Sequence, residues 1–288
     1  MIVHRDEHFS LSRAAHLILV VLLVLVAPGF AGGANAQPPQ PDDLLRRAIA
    51  NEKSAEAEKD GYYAWSDRLQ KIHGSVTKIM VSTPHGILSR TILINDRALT
   101  AAERSQDDDR INRLLDPAKM KEKAAHQRED QQHIDRMLTA LPDAFRCQYS
   151  TAAPEDHNLH LDCSPRPGFS PPNYESQVLQ GMKATIVIDR QENRIVRIEG
   201  TLFRDVNFGW GVLGHLDHGG RIEIAQAKVS GEHWGIQRMS MVFDGRLVIF
   251  KPLHIEETET SWDYRVVPRM SVAQALDYLR NYTPRPNR

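Results

Sequence analysis

Charge of a single sign is missing from this chain: Lys+Arg 36 stand against Asp+Glu 37, a formal net charge of -1. With no long basic block to neutralise phosphates, nucleic acid is excluded as an expected partner. Long apolar runs are missing too. The N-terminal apolar core, Leu17–Ala27, is far shorter than the roughly 20 residues a bilayer span requires. Catalytic signatures are also lacking: there is no G-x-S-x-G elbow, no H-E-x-x-H and no G-x-x-x-x-G-K-[ST] loop. No residue pattern asks for a cofactor, and no catalytic set is assigned. Cysteines number only 2.

What is present reads as an exported globular chain. Hydrophobic content of 41% and charged content of 25% are ordinary for a folded domain and argue against wholesale disorder. Arg5 and Arg13 precede the apolar core, Pro28-Gly29 follows it, and Ala34-Asn35-Ala36 forms a small-x-small cleavage site. Residues 1–36 are therefore expected to be a cleaved secretory signal, with an uncleaved anchor as the alternative. No cysteine lies near the cleavage point, which excludes lipoprotein processing there. The expected location is the periplasm, with no stable membrane span after cleavage.

Export changes how the cysteines read, because an oxidising compartment favours a disulfide over a metal or nucleophile pair. Folding the segment between Cys147 and Cys163 about its midpoint, Glu155, places the two cysteines opposite each other. The same register puts Phe145, Tyr149, Leu159 and Leu161 on the cysteine face. Arg146, Gln148, Ser150, His160 and Asp162 fall on the other face. A slip of one residue would invert both sets.

Along the rest of the chain, residues 37–42 read as a Pro-rich linker and residues 43–288 as one domain. A helix with Leu44, Leu45, Ala48 and Ile49 on one stripe leads into a meander of "YYAWSDRLQKI", "SVTKIMVST" and "ILSRTILI". A helical insertion over residues 100–141 opens on the capping box Thr100–Glu103 and restarts at Asp116-Pro117. It carries Met120, Ala124, Ile134, Met137, Leu138 and Leu141 on a narrow apolar stripe, and Pro142 is expected to close it. Strands follow from Lys183 to the mid-260s. "RIVRIEGTLFRDVNF" and "RLVIFKPLHIEETETSWDYRVV" each read as one of them. A second capping box, Ser271–Gln274, starts a C-terminal helix. The expected fold class is α+β, with a large curved antiparallel sheet, an N-terminal helix, a charged helical insertion and a C-terminal helix.

Four stretches carry a family resemblance: "LLDPAKMKEKAAHQREDQQHIDRMLTALPDAF", "PRPGFSPPNYESQVLQGMKATIVID", "VNFGWGVLGHLDHGGRIEIAQAKV" and "GRLVIFKPLHIEETETSWDYRVVP". In order and pattern they resemble an exported bacterial family of the LolA/LolB-like lipoprotein-sorting superfamily. That resemblance implies an incomplete antiparallel barrel wrapped around helices, whose concave face holds acyl chains. It implies a non-catalytic binding protein with lipid, an acyl chain or a lipoprotein as its partner. The long insertion at 100–141 departs from a simple carrier.

Candidate site residues follow from the loops. Trp210, Val212, Leu213 and Leu216, with Phe169 and Tyr174, either frame an apolar entrance or plug the open end of the core. His215 and His218 are weak metal candidates: they lie three apart in a glycine-rich stretch unsuited to a helix, with no third ligand indicated. Glu257 and Glu259 share a face of one strand and mimic paired carboxylates, which an edge or solvent face explains more cheaply. Two other readings stay open. One is a structural module of the cell envelope with a filled core and a protein partner. The other is a metal-dependent hydrolase at His215 and His218.

Overall fold

The computed structural model describes residues 39–57, 61–151, 156–208, 214–247, 251–283 and 285. The signal segment 1–36 lies outside them.

Helix α1 (Pro41–Ala57) has Asp42 and Asp43 in its first turn, where carboxylates face the positive end of the helix dipole. It takes in the last two residues expected of the linker. Its stripe of Leu44, Leu45, Ala48 and Ile49 is buried. Strands β1 (Tyr62–Lys71), β2 (Gly74–Thr83) and β3 (Gly86–Ile94) form the expected meander, and β3 closes onto the short β4 (Arg97–Ala98). Asn95 and Asp96 sit at φ 51 and 58 in that last turn, the left-handed pair a two-residue hairpin needs.

Helix α2 (Ala101–Asn112) starts on the Thr100 capping box, and Arg113–Leu115 makes a single 3-10 turn. Helix α3 (Pro117–Ala144) follows, capped by Asp116. Pro142 does not close α3 but lies inside it, and the helix runs on to Ala144. Proline removes only its own N–H bond to the preceding turn. Phe145 N still donates to Leu141 O, so the final turn holds.

The second half supplies β5 (Phe145–Tyr149), β6 (Asn158–Pro165), a 3-10 turn (Glu175–Gly181), β7 (Met182–Asp189), β8 (Ile195–Leu202), β9 (Val206–Phe208), β10 (Gly214–Leu216), β11 (Arg221–Ser230), β12 (His233–Leu247), β13 (Lys251–Val267) and helix α4 (Val272–Asn281). Two long sequence segments are divided. "RIVRIEGTLFRDVNF" bends between β8 and β9, and "RLVIFKPLHIEETETSWDYRVV" belongs partly to β12 and partly to β13, which pair as antiparallel neighbours. Continuous β-propensity does not reveal a turn that contains apolar residues.

The strands make one antiparallel sheet in the order β4-β3-β2-β1-β13-β12-β11-β8-β7-β6-β5, with β10 paired to the end of β12 and β9 paired to β10. The sheet is open, ending on β4 and β5. Cross-strand pairs trace one face across it: Ile186, Ile198, Ile224, Met239, Glu259, Leu69, Val76. At the β5–β8 end this face is the buried one. Phe145, Cys147, Leu161, Cys163, Ile186 and Ile188 pack there under α1 and the end of α3. At the β1–β3 end the opposite face is buried. On β2 the covered residues are Ser75, Thr77, Ile79, Val81 and Thr83, out of phase with Val76. Ile79, Val81, Leu88, Leu276 and Leu279 form the second cluster, with α4 packed on β2 and β3. One sheet thus supports two cores on opposite faces.

Helix α3 links them. Gln127 Nε2 donates to Ile87 O at 2.9 Å, and Ile87 N donates to Gln127 Oε1 at 3.0 Å, which fixes its first half to β3. Its last turns bury Ala140, Leu141 and Ala144 beside α1, where Arg46 meets Asp143 and Lys53 meets Thr139. Residues 128–134 between these anchors are exposed all round. Ile134, expected on the docking stripe, is 53% exposed, because here the helix is held through its polar residues His133 and Arg136, which both reach Glu175 of the 3-10 turn.

Cys147 and Cys163 are joined in a disulfide and paired in register, with Phe145 and Leu161 buried on the same face as expected. Constraining a loop of this size contributes about 3 kcal/mol in the chain-entropy description. The variant Cys147→Ser/Cys163→Ser is expected to lose roughly that much in urea unfolding. A loss no larger than the scatter of the measurement would show that the hairpin is held by packing alone.

Candidate functional site

The described loop candidates separate on inspection. Leu216 on β10 pairs with Val206 and Gly245 and packs, half-buried, against the first cluster. Phe169 packs against the same cluster, its carbonyl accepting from Gln180 Nε2 at 3.1 Å. Two surface depressions of about 390 and 540 Å³ meet at Phe169. Tyr174 is 61% exposed and is not brought to them. Trp210, Val212 and Leu213 lie outside the described residues. Leu216 and Phe169 thus both lean on the core, and Phe169 also lines the two depressions.

The glycine-rich stretch serves a turn here. Gly219, at φ 88, donates its N–H to Leu202 O, and Leu202 N donates to Gly220 O, each at 2.8 Å. A side chain on Gly220 would stand 2.9 Å from Phe243 Cε1, so only glycine fits against that ring. The histidines diverge: His215 Nε2 bonds Asp217 and His218 Nδ1 bonds Asp205, each at 2.9 Å. Among the described residues no three His, Cys, Asp or Glu side chains converge as metal ligands.

The more informative group lies on the middle strands, on the face that carries Glu259. Ile222 and Ile224 of β11, Met239 and Met241 of β12, Leu69 of β1 and Val76 and Met80 of β2 share that face. All are half-buried. Among the described residues the helices pack chiefly on β2, β3, β5 and β8; Ile222 and Met241 lean on the first cluster, and Tyr282 at the end of α4 reaches Asp263 and Arg265 of β13. The opposite face of these strands is polar: Glu223, Arg238, Ser240, Thr258 and Thr260 occupy it.

Set into this apolar row is a carboxyl pair. Asp67 of β1 lies opposite Ser261 of β13, and Glu259 opposite Leu69, so the two carboxyls are diagonal neighbours. Asp67 is 7% exposed, and Ser261 Oγ donates to it at 2.9 Å. Burial pushes the Glu259 carboxyl up to about 7, helped by the Asp67 charge, their mutual hydrogen bond and Glu257, while Lys78 opposes it. Two carboxyls hydrogen-bond only if one keeps its proton, which is the state burial favours. Glu257 is drawn away by Lys71 on the neighbouring strand. Tyr264 stacks on Trp65 with ring centroids 5.8 Å apart and donates to Ile236 O at 2.6 Å, and burial pushes its hydroxyl up to about 12.

The strand pattern alone paired Glu259 with Glu257 and placed both on an edge or a solvent face. In the fold, β13 is central, between β1 and β12, and the partner of Glu259 is Asp67, nearly two hundred residues earlier. The available signal was an aspartate inside an aromatic-rich strand, "YYAWSDRLQK". Chemically, carboxyls this close leave no room for a glycosidic linkage between them. The group can instead hydrogen-bond the polar end of a molecule lying along the apolar row.

The raised Glu259 carboxyl predicts a pH dependence. The folded state keeps a proton that the unfolded chain releases near its usual 4.5, so this contribution is complete below that value. It is lost as pH rises toward about 7. Denaturation midpoints across this window are expected to show a falling component that Glu259→Gln removes. An unchanged slope in the variant would contradict the buried pair. No protein-family model matches the chain, and no curated protein shows significant similarity to it.

Proposed function

We propose that this is an exported, non-catalytic binding protein of LolA/LolB-like type, and that its ligand is a lipid, an acyl chain or the acylated part of a lipoprotein. The observation that carries this reading is the half-buried row of Ile224, Met239, Leu69 and Val76, continued by Ile222 and Met241 where it meets the first cluster. A monomeric fold does not usually leave so continuous an apolar row partly in water, and such a surface fits an extended apolar ligand. The ligand therefore belongs on the middle strands, away from the loop rim around Phe169 and Leu216. Asp67, Glu259 and Ser261 offer its polar end hydrogen-bonding groups. Export is supported by the residue pattern of 1–36 and agrees with the disulfide.

A second reading, a structural or interaction module of the cell envelope, is favoured by one observation: each end of the sheet is already covered by the protein's own helices. The two readings part on ligand occupancy. Protein purified from an expression host is expected to yield lipid on extraction and mass spectrometry, and to bind a fluorescent fatty acid. Ile224→Thr/Met239→Gln, which nearly preserves shape, is expected to weaken that binding at least tenfold, since burying each apolar side chain is worth ~1.5 kcal/mol or more. Lipid-free protein that ignores the probe would leave the interaction module as the reading.

A further inference from the structure

On the polar face, at the sheet end where β7 begins and β8 finishes, the register builds a transverse row of cations. Arg146 pairs with Ser164, Lys183 with Thr201, and Thr201 with Arg221. All five side chains are exposed. Alternate strands therefore present Arg146, Lys183 and Arg221, spaced by hydroxyl residues, at about 10 Å intervals. Arg204 stands beside them, its guanidinium donating to Gln180 O at 2.7 Å. Between Lys183 and Arg204 lies the Phe203 ring, 46% exposed. Lys183 Nζ is 5.4 Å and Arg204 Cζ 5.6 Å from its centroid. The ring, both cations and Ser164 line the depression of about 390 Å³.

The charge of this row is only weakly compensated, Arg146 feeling Asp42 at longer range. The next row holds Asp162, Glu199 and Glu223. Glu199 is taken by Arg197 at 3.2 Å and Glu223 by Arg238 at 3.6 Å, while Asp162 accepts from Thr185. Asp42 is committed to Arg166 at 2.7 Å. Asp205, beside Arg204, is held by His218. Among the described residues, none of Arg146, Lys183, Arg204 and Arg221 forms an ion pair with a carboxylate. The two cations hold the half-exposed phenyl ring at the surface. The combination suits an interface where phosphates meet hydrocarbon: the ring enters the headgroup layer and the cations keep contact with phosphate.

We infer that this end of the sheet docks on an anionic phospholipid surface through Arg146, Lys183, Arg204 and Arg221, with Phe203 at the headgroup boundary. The inference is independent of the ligand proposed for the opposite face. An acidic protein would satisfy the cations but gives no reason for the exposed ring.

Co-sedimentation with vesicles tests it, using the full chain and phosphatidylcholine vesicles with or without phosphatidylglycerol. Binding is expected to rise with phosphatidylglycerol and fall with salt. Lys183→Ala/Arg221→Ala is expected to weaken it by roughly fivefold per charge, whereas Lys183→Arg/Arg221→Lys retains it. Phe203→Ala is expected to weaken it without changing the salt dependence. Indifference of the parent chain to phosphatidylglycerol overturns the docking surface and leaves an acidic protein as the candidate. So does equal binding by the alanine variant, or an equal loss in the charge-conserving pair. Fatty-acid binding should persist in the alanine variant, so a failure here is distinguishable from a failure of the ligand proposal.

Discussion

A β-strand sends successive side chains to opposite faces, and in this protein the buried phase changes partway across a continuous sheet. At the β5–β8 end, the face carrying Ile186 and Cys147 is covered; at the β1–β3 end, the face carrying Ile79 and Val81 is covered instead. The remaining features depend on that change. Helices must lie on opposite sides at the two ends, so α1 and α4 cannot share a layer. Helix α3 has to be anchored in both regions and spans the interval with an exposed stretch that includes Ile134 and is tethered through His133 to Glu175. The strands between the two covered ends touch the helix-covered clusters only at their margins, through residues such as Phe243 and Val267. Their apolar face stays half-covered.

That middle zone explains where the unusual electrostatics lie. A carboxyl on an outer strand would be hydrated, but Glu259 lies between Leu69 and Met239 and Asp67 is nearly covered. Sharing a proton satisfies both groups at the lowest cost in buried charge. The opposite face behaves differently: its rows of acids and bases neutralise one another through pairs such as Arg197–Glu199. The exception is the terminal row of Arg146, Lys183 and Arg221, which has no acidic row beyond it. Apolar surface persists where helices run out, and charge persists where rows run out.

Much of the local structure was legible in the sequence because local chemistry decides it. The Thr100 and Ser271 capping boxes, the Asp116-Pro117 start and the Cys147–Cys163 hairpin each rest on a few neighbouring residues, and each is found as expected. The strand alternation likewise separated the Phe145–Leu161 face from the Arg146–Asp162 face. Contacts fixed by distant chain segments were not legible. Nothing near Glu259 announces that β13 will pair with β1, so Asp67 stood out only as an aspartate in an aromatic-rich strand and not as its partner, and the strand looked peripheral. The split between β12 and β13 was hidden because the stretch "RLVIFKPLHI" reads as continuous β-propensity. The breaker Pro142 misled because its neighbours, not its own propensity, complete the last turn of α3. The histidines of the glycine-rich stretch drew attention by spacing alone, and the fold gives each its own carboxylate.

The central claim is that an apolar ligand lies on the middle strands, between the two self-filled ends. Methyl-resolved NMR during titration with a single-chain lysophospholipid tests it most directly, because each methyl reports its own surroundings. The account predicts shifts concentrated on Ile222, Ile224, Met239, Met241, Leu69 and Val76, with Leu44, Leu45, Ile186 and Leu276 in the two cores essentially unmoved. Shifts centred on those core methyls, or none at a saturating concentration, would contradict it.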